Sequence, residues 1–209
     1  MKPAAQRPRR VRNREATQKC LLDACEKLLL RDGPEGIGVN SVVAEAGVGK
    51  DLIYRYFDGL PGLIKAWLAQ DANWPSITEL TGGDEAAFGQ LGMTEQIQTV
   101  CRNYVRALRS RPVIIRILVS ELMKPTEVTV ILEEAGDRIG RELYRCLQLS
   151  GTDISDDVVD VALIFTIMVN YLCMRAITSP KAFGMDLADD VSWERIESIM
   201  DTLIERYLK

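Results

Sequence analysis

The stretch Val39–Phe57, VNSVVAEAGVGKDLIYRYF, constrains this chain more than any other. Val39, Val42 and Val43 recur at helical spacing and run into Ala46-Gly47-Val48-Gly49, after which a second short helix begins at Lys50. Two helices of about two turns, joined by a tight glycine-containing turn, make a helix-turn-helix. Such a turn forces the helices to cross steeply, and Gly47 can take the left-handed conformation it needs without a Cβ clash. Val48 then plugs the space between the helices, while Ile53 and Phe57, four apart, face the core. Lys50, Asp51, Tyr54 and Arg55 are left on the outer side. A short outward helix carrying an Arg, a Lys and a Tyr has the dimensions of a major-groove reader. An ordinary helical hairpin with a solvated face fits the same spacing.

Charge separates these readings only when the chain is divided. The whole chain has a formal charge of −4, which argues against a nucleic-acid partner. Residues 1–57, however, hold eleven basic and seven acidic side chains, a net of +4, against −8 for residues 58–209. A basic head on an acidic body is expected when one end alone meets phosphates. Residues 1–14 (MKPAAQRPRRVRNR) have no apolar periodicity and predict a disordered basic arm. Its arginines, Arg10, Arg12 and Arg14 among them, suit phosphate or minor-groove contact; a solubilising tail is the plainer alternative.

At Ala46-Gly47-Val48 and Leu52-Ile53-Tyr54-Arg55-Tyr56-Phe57 the sequence resembles the signature of TetR-family transcriptional regulators, in which an AGV turn precedes a recognition helix ending in Tyr-x-Tyr/His-Phe. The resemblance runs from about Thr17 to Leu68, a quarter of the chain. It implies an all-α fold, with a three-helix helix-turn-helix DNA-binding head joined to a helical ligand-binding and dimerisation body. The corresponding boundaries are a basic arm over 1–14, a DNA-binding domain over 15–60 and a body over 61–209. Beyond the arm, the implied DNA contacts are Thr17 on the first helix, Asn40 and Ser41 on the second, and Gly49, Lys50, Asp51, Leu52, Tyr54, Arg55 and Tyr56 around the recognition helix. Three positions depart from the family pattern. Gly38 and Gly49 stand where hydroxyl residues usually cap helices and meet phosphate, and Leu60 replaces a phosphate-gripping Lys. One grip fewer implies a shallower salt dependence.

The remaining chain reads as helices. The first spans about Asn13–Thr17 to Arg31, with Leu21, Leu22, Cys25, Leu28 and Leu29 in stripe. A fourth helix is expected over about Pro61–Trp74, and residues 79–92, rich in glycine and acid, read as a loop. Helices over Met93–Arg109, Pro112–Lys124, Thr126–Gln148, Asp156–Thr178 and Val191–Leu208 follow. Between Asp160 and Arg175 lie 14 residues without a charge, fewer than the roughly 20 a bilayer span needs. That helix is expected to bury one face in its own core and another against a partner subunit. The resemblance implies homodimerisation through the last two helices.

Histidine is absent, which removes His-based metal sites, general bases and activated nucleophiles. The five cysteines fall singly in apolar helical contexts and read as reduced core residues of a cytoplasmic protein, with a redox-sensing thiol as the alternative. No enzyme, metal or cofactor is expected. Candidate effector contacts are polar or soft side chains inside apolar stretches: Tyr104, Arg116, Glu121, Met123, Phe165, Met168, Asn170, Tyr171 and Cys173. Each is also readable as core packing or surface charge. Asn170 leads, because a buried amide in an apolar helix needs partners, here a ligand or its own copy across a dimer axis. The function the resemblance implies is a ligand-responsive repressor that binds a pseudo-palindromic operator as a homodimer and is released by a small molecule, for which the apolar stretches suggest a hydrophobic one. A helical accessory protein that keeps this fold without reading DNA is the alternative.

Overall fold

The computed structural model describes residues 14–70, 73–149, 156–182 and 184–208. Among these residues it holds eleven α-helices and one short hairpin. The head comprises α1 (Arg14–Asp32), α2 (Val39–Ala46) and α3 (Asp51–Phe57), with a single 3-10 turn at Pro34–Gly36. Leu21, Ala24, Cys25, Leu28 and Leu29 bury one stripe of α1 against α2 and α4 (Leu60–Leu68), where Val42, Ile53, Leu63 and Ile64 complete a dry core. Gly47 closes α2 in the left-handed region, at φ 64°, and its N–H donates to the Val43 carbonyl.

The body begins with two single-turn helices, α5 (Ile77–Leu80) and α6 (Glu85–Phe88), in the segment whose composition predicted a loop. Caps and anchors outweigh composition here. Ser76 Oγ accepts from the Glu79 N–H and Asp84 Oδ1 from the Ala87 N–H, while Leu80 and Phe88 are buried. The fourth helix stops at Leu68 rather than reaching Trp74, and Asn73 Nδ2 donates back to the Trp67 carbonyl at 2.8 Å.

Long helices α7 (Met93–Arg109), α8 (Pro112–Met123), α9 (Glu127–Leu149) and α10 (Asp156–Thr178) follow, then strands β1 (Lys181–Ala182) and β2 (Met185–Asp186), then α11 (Asp190–Tyr207). The antiparallel hairpin pairs Lys181 with Asp186 and Ala182 with Met185; nothing in the sequence pattern announced it. Its far side supplies the Leu187 carbonyl, which accepts from the buried Trp193 indole at 2.8 Å. Helix α7 is central and packs on α8, α10 and α11. The α7–α11 seam carries Arg102–Asp201 and Arg106–Glu197 ion pairs at 2.7 and 3.0 Å. Head and body share one continuous apolar core, joined where α1 meets α8 and α4 meets α9.

Helix α10 buries Val158, Val161, Phe165, Val169 and Cys173, a stripe at three- and four-residue spacing, against α7 and α8. Its other side exposes Val159, Leu163, Ile164, Ile167 and Tyr171. By length and composition it is the one described helix apolar enough to cross a membrane, although one face is spent on the body's core.

Candidate nucleic-acid interface and body cavity

Helix α3 is anchored from below by Ile53, which is wholly buried, and by Phe57 against the same core. That anchoring fixes which residues face outward. Lys50, Asp51, Tyr54 and Arg55 are all exposed, Tyr54 by 53%. Leu52 and Tyr56 are half-buried and pack on the core, so they position the helix more than they present chemistry. Two guanidinium groups approach the Tyr56 ring, Arg14 at 5.6 Å and Arg55 at 6.0 Å from its centre. The start of α1, the end of α3 and an aromatic plate therefore form one positively charged surface. Arg10 and Arg12 lie outside the described residues.

Several residues at this surface have duties that the sequence pattern conceals. Ser41 Oγ accepts from the Gly38 N–H at 2.8 Å and lies 3.0 Å from the Gly36 and Gly38 carbonyls, so its hydroxyl is occupied in closing the start of α2. Asn40 beside it is exposed. Thr17 is 5% exposed and faces the head core, which takes its hydroxyl away from the surface. At Gly49 an added Cβ would fall 2.6 Å from Asp51 Oδ1: the Asp51 carboxylate fills the space where a Ser side chain would stand. Leu60, in the position of the absent Lys, is half-buried against the core.

Gly62 is the position sequence reasoning missed. A Cβ there would lie 1.6 Å from the Phe57 carbonyl oxygen, so α4 can start against the end of α3 only with hydrogen at this site. The reversal itself uses Asp58 and Gly59, both at positive φ. No local pattern marks Gly62, because its constraint comes from the neighbouring helix.

The body holds a cavity of about 1070 Å³, partly open to solvent, lined by α7, α8, α9 and α10 and flanked by Trp74, Pro75 and Leu80. Its walls are largely apolar, among them Ile97, Leu118, Leu132, Leu147 and Val169. Of the candidate effector contacts, Tyr104, Glu121, Phe165 and Asn170 line it. Tyr104 Oη donates to Asn170 Oδ1 at 2.8 Å, so the amide finds its partner within one subunit, and burial raises the Tyr104 hydroxyl's pKa. The Glu121 carboxyl is also held above its ordinary range, first by burial and then by its neighbour Glu133. Arg116, Met123, Met168, Tyr171 and Cys173 do not line the cavity. Arg116 and Tyr171 point to solvent, and Met123 ends α8 at 83% exposure. Met168 and Cys173 pack into the core instead.

Burial pushes the Cys25, Cys101 and Cys173 thiols up to about 12, which keeps them protonated. Cys20 departs from the expected core role and sits exposed on α1. Among the described residues no His, Cys, Asp or Glu group could hold a metal.

Residues 21–66 match the family described as bacterial regulatory proteins, tetR family. Those residues form a TetR-family helix-turn-helix segment. The chain's all-α fold resembles a TetR-family transcriptional regulator from Streptomyces coelicolor, at 20% identity over 91% of this chain and 99% of that one, with a TM-score of 0.56. It also resembles NalD of Pseudomonas aeruginosa, the secondary repressor of the MexAB-OprM multidrug efflux pump, at 18% identity, with 93% and 98% of the two chains covered and a TM-score of 0.59. A third likeness is to a TetR-family transcriptional regulator from Haemophilus influenzae, at 17% identity, 91% and 96% coverage and a TM-score of 0.54. No curated protein matches in sequence. The matched segment is the DNA-binding head of such regulators, and the likeness to the solved structures extends to the fold of the whole chain.

Proposed function

We propose that this TetR-family protein is a cytoplasmic repressor that binds a pseudo-palindromic operator as a homodimer and releases it when a small molecule enters the body cavity. The observation that carries the reading is α3: seven residues, core-anchored through Ile53, presenting Lys50, Asp51, Tyr54 and Arg55 outward. Arg55 is suited to a bidentate guanine contact, Lys50 to a phosphate or base, and Tyr54 to backbone or thymine methyl contact. Arg14, with Arg10 and Arg12 preceding it, continues the contact along the phosphates. The division into arm (1–14), head (15–60) and body (61–209) follows these roles.

One short helix reads too few bases for genomic specificity, so two heads are required. Support for the dimer comes from the exposed apolar side chains of the last two long helices: Leu163, Ile164 and Ile167 on α10, with Ile199, Leu203 and Tyr207 on α11. Large apolar side chains exposed along a helix in this way are costly in water and mark an interface.

Effector control is supported by the joints between cavity and head. Ser120 Oγ donates to Glu35 Oε1 at 2.6 Å, fastening α8 to the turn after α1, while the next residue, Glu121, lines the cavity. Lys65 of α4 pairs with Glu134 of α9 at 3.1 Å, and the preceding residue, Glu133, lines the cavity too. A ligand that shifts α8 or α9 therefore tilts the head, which is a population shift between two arrangements of rigid parts.

Selection of sites from random duplex DNA by the purified protein tests the reading. A pseudo-palindrome bound at nanomolar affinity is expected. Enrichment of no sequence, with weak salt-sensitive binding alone, would reject it and favour the accessory-protein alternative, to which the occupied Ser41 hydroxyl and the uncharged Leu60 already lend weight.

A further inference from the structure

We infer that the Asn170 side-chain amide is the polar anchor of the body cavity, and that its free N–H groups seat the acceptor oxygen of an uncharged, largely apolar ligand. The inference rests on the reading of the cavity as the effector site and adds the chemical class of its ligand. Asn170 on α10 and Tyr104 on α7 both line the cavity. Along α10, Val169 and Cys173 on either side of Asn170 are buried in the core and fix the helix there. Tyr104 Oη donates to Asn170 Oδ1 at 2.8 Å, and that bond sets the direction of the amide. Turned the other way, Nδ2 would donate to Oη, and the proton of the buried tyrosine hydroxyl would be left without an acceptor.

With Oδ1 engaged, the two N–H groups of Nδ2 remain. Nδ2 makes no hydrogen bond among the described residues. It is not one of the buried unpaired nitrogens either, so on this half-buried residue of the cavity wall it keeps surface that a ligand can reach. The other polar side chain that α10 gives the lining, Thr166, spends its hydroxyl proton on the Ala162 carbonyl at 2.7 Å. The charged residues of the lining, Glu133, Asp137, Arg141 and Arg145, are exposed, and Glu121 is partly exposed, so charge collects where solvent reaches. A charged group carried in to Asn170 would lose water and meet no opposite charge, whereas a carbonyl oxygen meets a free amide donor.

The β isomers of acetonaphthone and isopropenylnaphthalene, matched in shape and differing by a carbonyl oxygen in place of a methylene carbon, provide the test on the full chain. Dissociation constants are measured for the unaltered protein and for Asn170→Leu, which keeps the size of the side chain and removes its N–H groups. The ketone is expected to bind about tenfold more tightly than the hydrocarbon to the unaltered protein and within about twofold of it in Asn170→Leu. Equal affinities in the unaltered protein, an advantage that survives Asn170→Leu, or binding of neither compound overturns the inference. Should the variant not fold, the Asn170 amide resonances of isotope-labelled unaltered protein decide. A downfield proton shift with the ketone and not with the hydrocarbon supports the inference, and equal shifts or none overturn it. Operator binding is measured in parallel. A protein that binds operator but shows no ketone preference loses this inference alone, and one that prefers the ketone through Asn170 but reads no DNA loses the regulator reading alone.

Discussion

Head and body solve the burial of apolar surface in opposite ways. The head is finished within one chain: its large exposed apolar side chains are Leu30 and Tyr54, and Tyr54 belongs to the surface proposed to meet DNA. The body leaves its apolar surface open twice, inside as a cavity of about 1070 Å³ and outside as the bare sides of α10 and α11. A module that must keep one shape to read a fixed helix groove profits from dense packing, which transmits displacement without deforming. A module that must answer to a small molecule and to a second subunit needs surfaces that become complete only on binding. On the proposed function, dense packing in one and deferred packing in the other would let a change in the body move the head as a unit.

The strongest way to break this contrast is to spoil the head's packing where it is tightest. Gly62→Ala places a methyl group on the Phe57 carbonyl, and neither backbone can yield cheaply. A cost of about 3 kcal/mol is expected, at the upper end of overpacking effects. Denaturant unfolding should show the head melting before the body, with operator binding lost. An unchanged midpoint would mean that α4 moves freely on α3, and the head would not be the rigid unit described.

Much of the head was legible in sequence because its determinants are local. Gly47, Val48 and the Ile53–Phe57 spacing lie within twenty residues, and each is decided by its neighbours in the chain. Gly62 was not legible, since its need for hydrogen comes from α3's carbonyl. The engagement of the Ser41 hydroxyl with the backbone of the turn was not legible either. In the body the helices were legible from periodicity, but the cavity was not. Its walls come from segments as distant as Trp74 and Asn170, and the fastening of Ser120 to Glu35 spans 85 residues. Side chains chosen as polar or soft within apolar stretches divided between cavity wall, core and solvent according to helix rotation, which composition does not encode.

On the body side, Ile167→Glu tests whether the bare α10 face is an interface. Ile167 is 60% exposed, so the substitution leaves the monomer's core intact while placing a carboxylate where two copies would meet. Dimer association is expected to weaken about 100-fold, read by sedimentation, with helical content unchanged. A dimer unaffected by the change would move the interface elsewhere.

Smaller effects probe the DNA surface. Arg55→Ala should cost about 1–3 kcal/mol, relaxing preference at one base position without weakening binding to unrelated sequences. A uniform loss across sequences would demote Arg55 to a phosphate contact. Leu60→Lys works in the other direction. It restores a cation at the start of α4 and should steepen the dependence of log affinity on log salt by about 1.

The smallest effect contrasts two carboxylates at the joints. Glu121, in the cavity wall, has its pKa raised above the ordinary 4.5 by burial and then by Glu133. A carboxyl raised in the folded state contributes most favourably below its unfolded pKa, and that contribution is lost as pH rises through the folded value. Glu121→Gln should therefore stabilise the protein at neutral pH, and the gain should fade as pH drops below the ordinary carboxylate range. The gain stays below about 1 kcal/mol, because much of the group faces water. Glu35, on the head side, is shifted the other way, chiefly by the hydrogen bond from Ser120. Its contribution is present above its unfolded pKa and lost as pH falls through the lowered folded value, so Glu35→Gln should destabilise at neutral pH and be silent in acid. Melting temperatures of the two variants from about pH 4 to about pH 8 should diverge with opposite signs. Parallel curves would mean that the α8 joint does not hold its two carboxylates in different environments, and that the head and the cavity are not separated at Ser120 and Glu121 in the way their packing indicates.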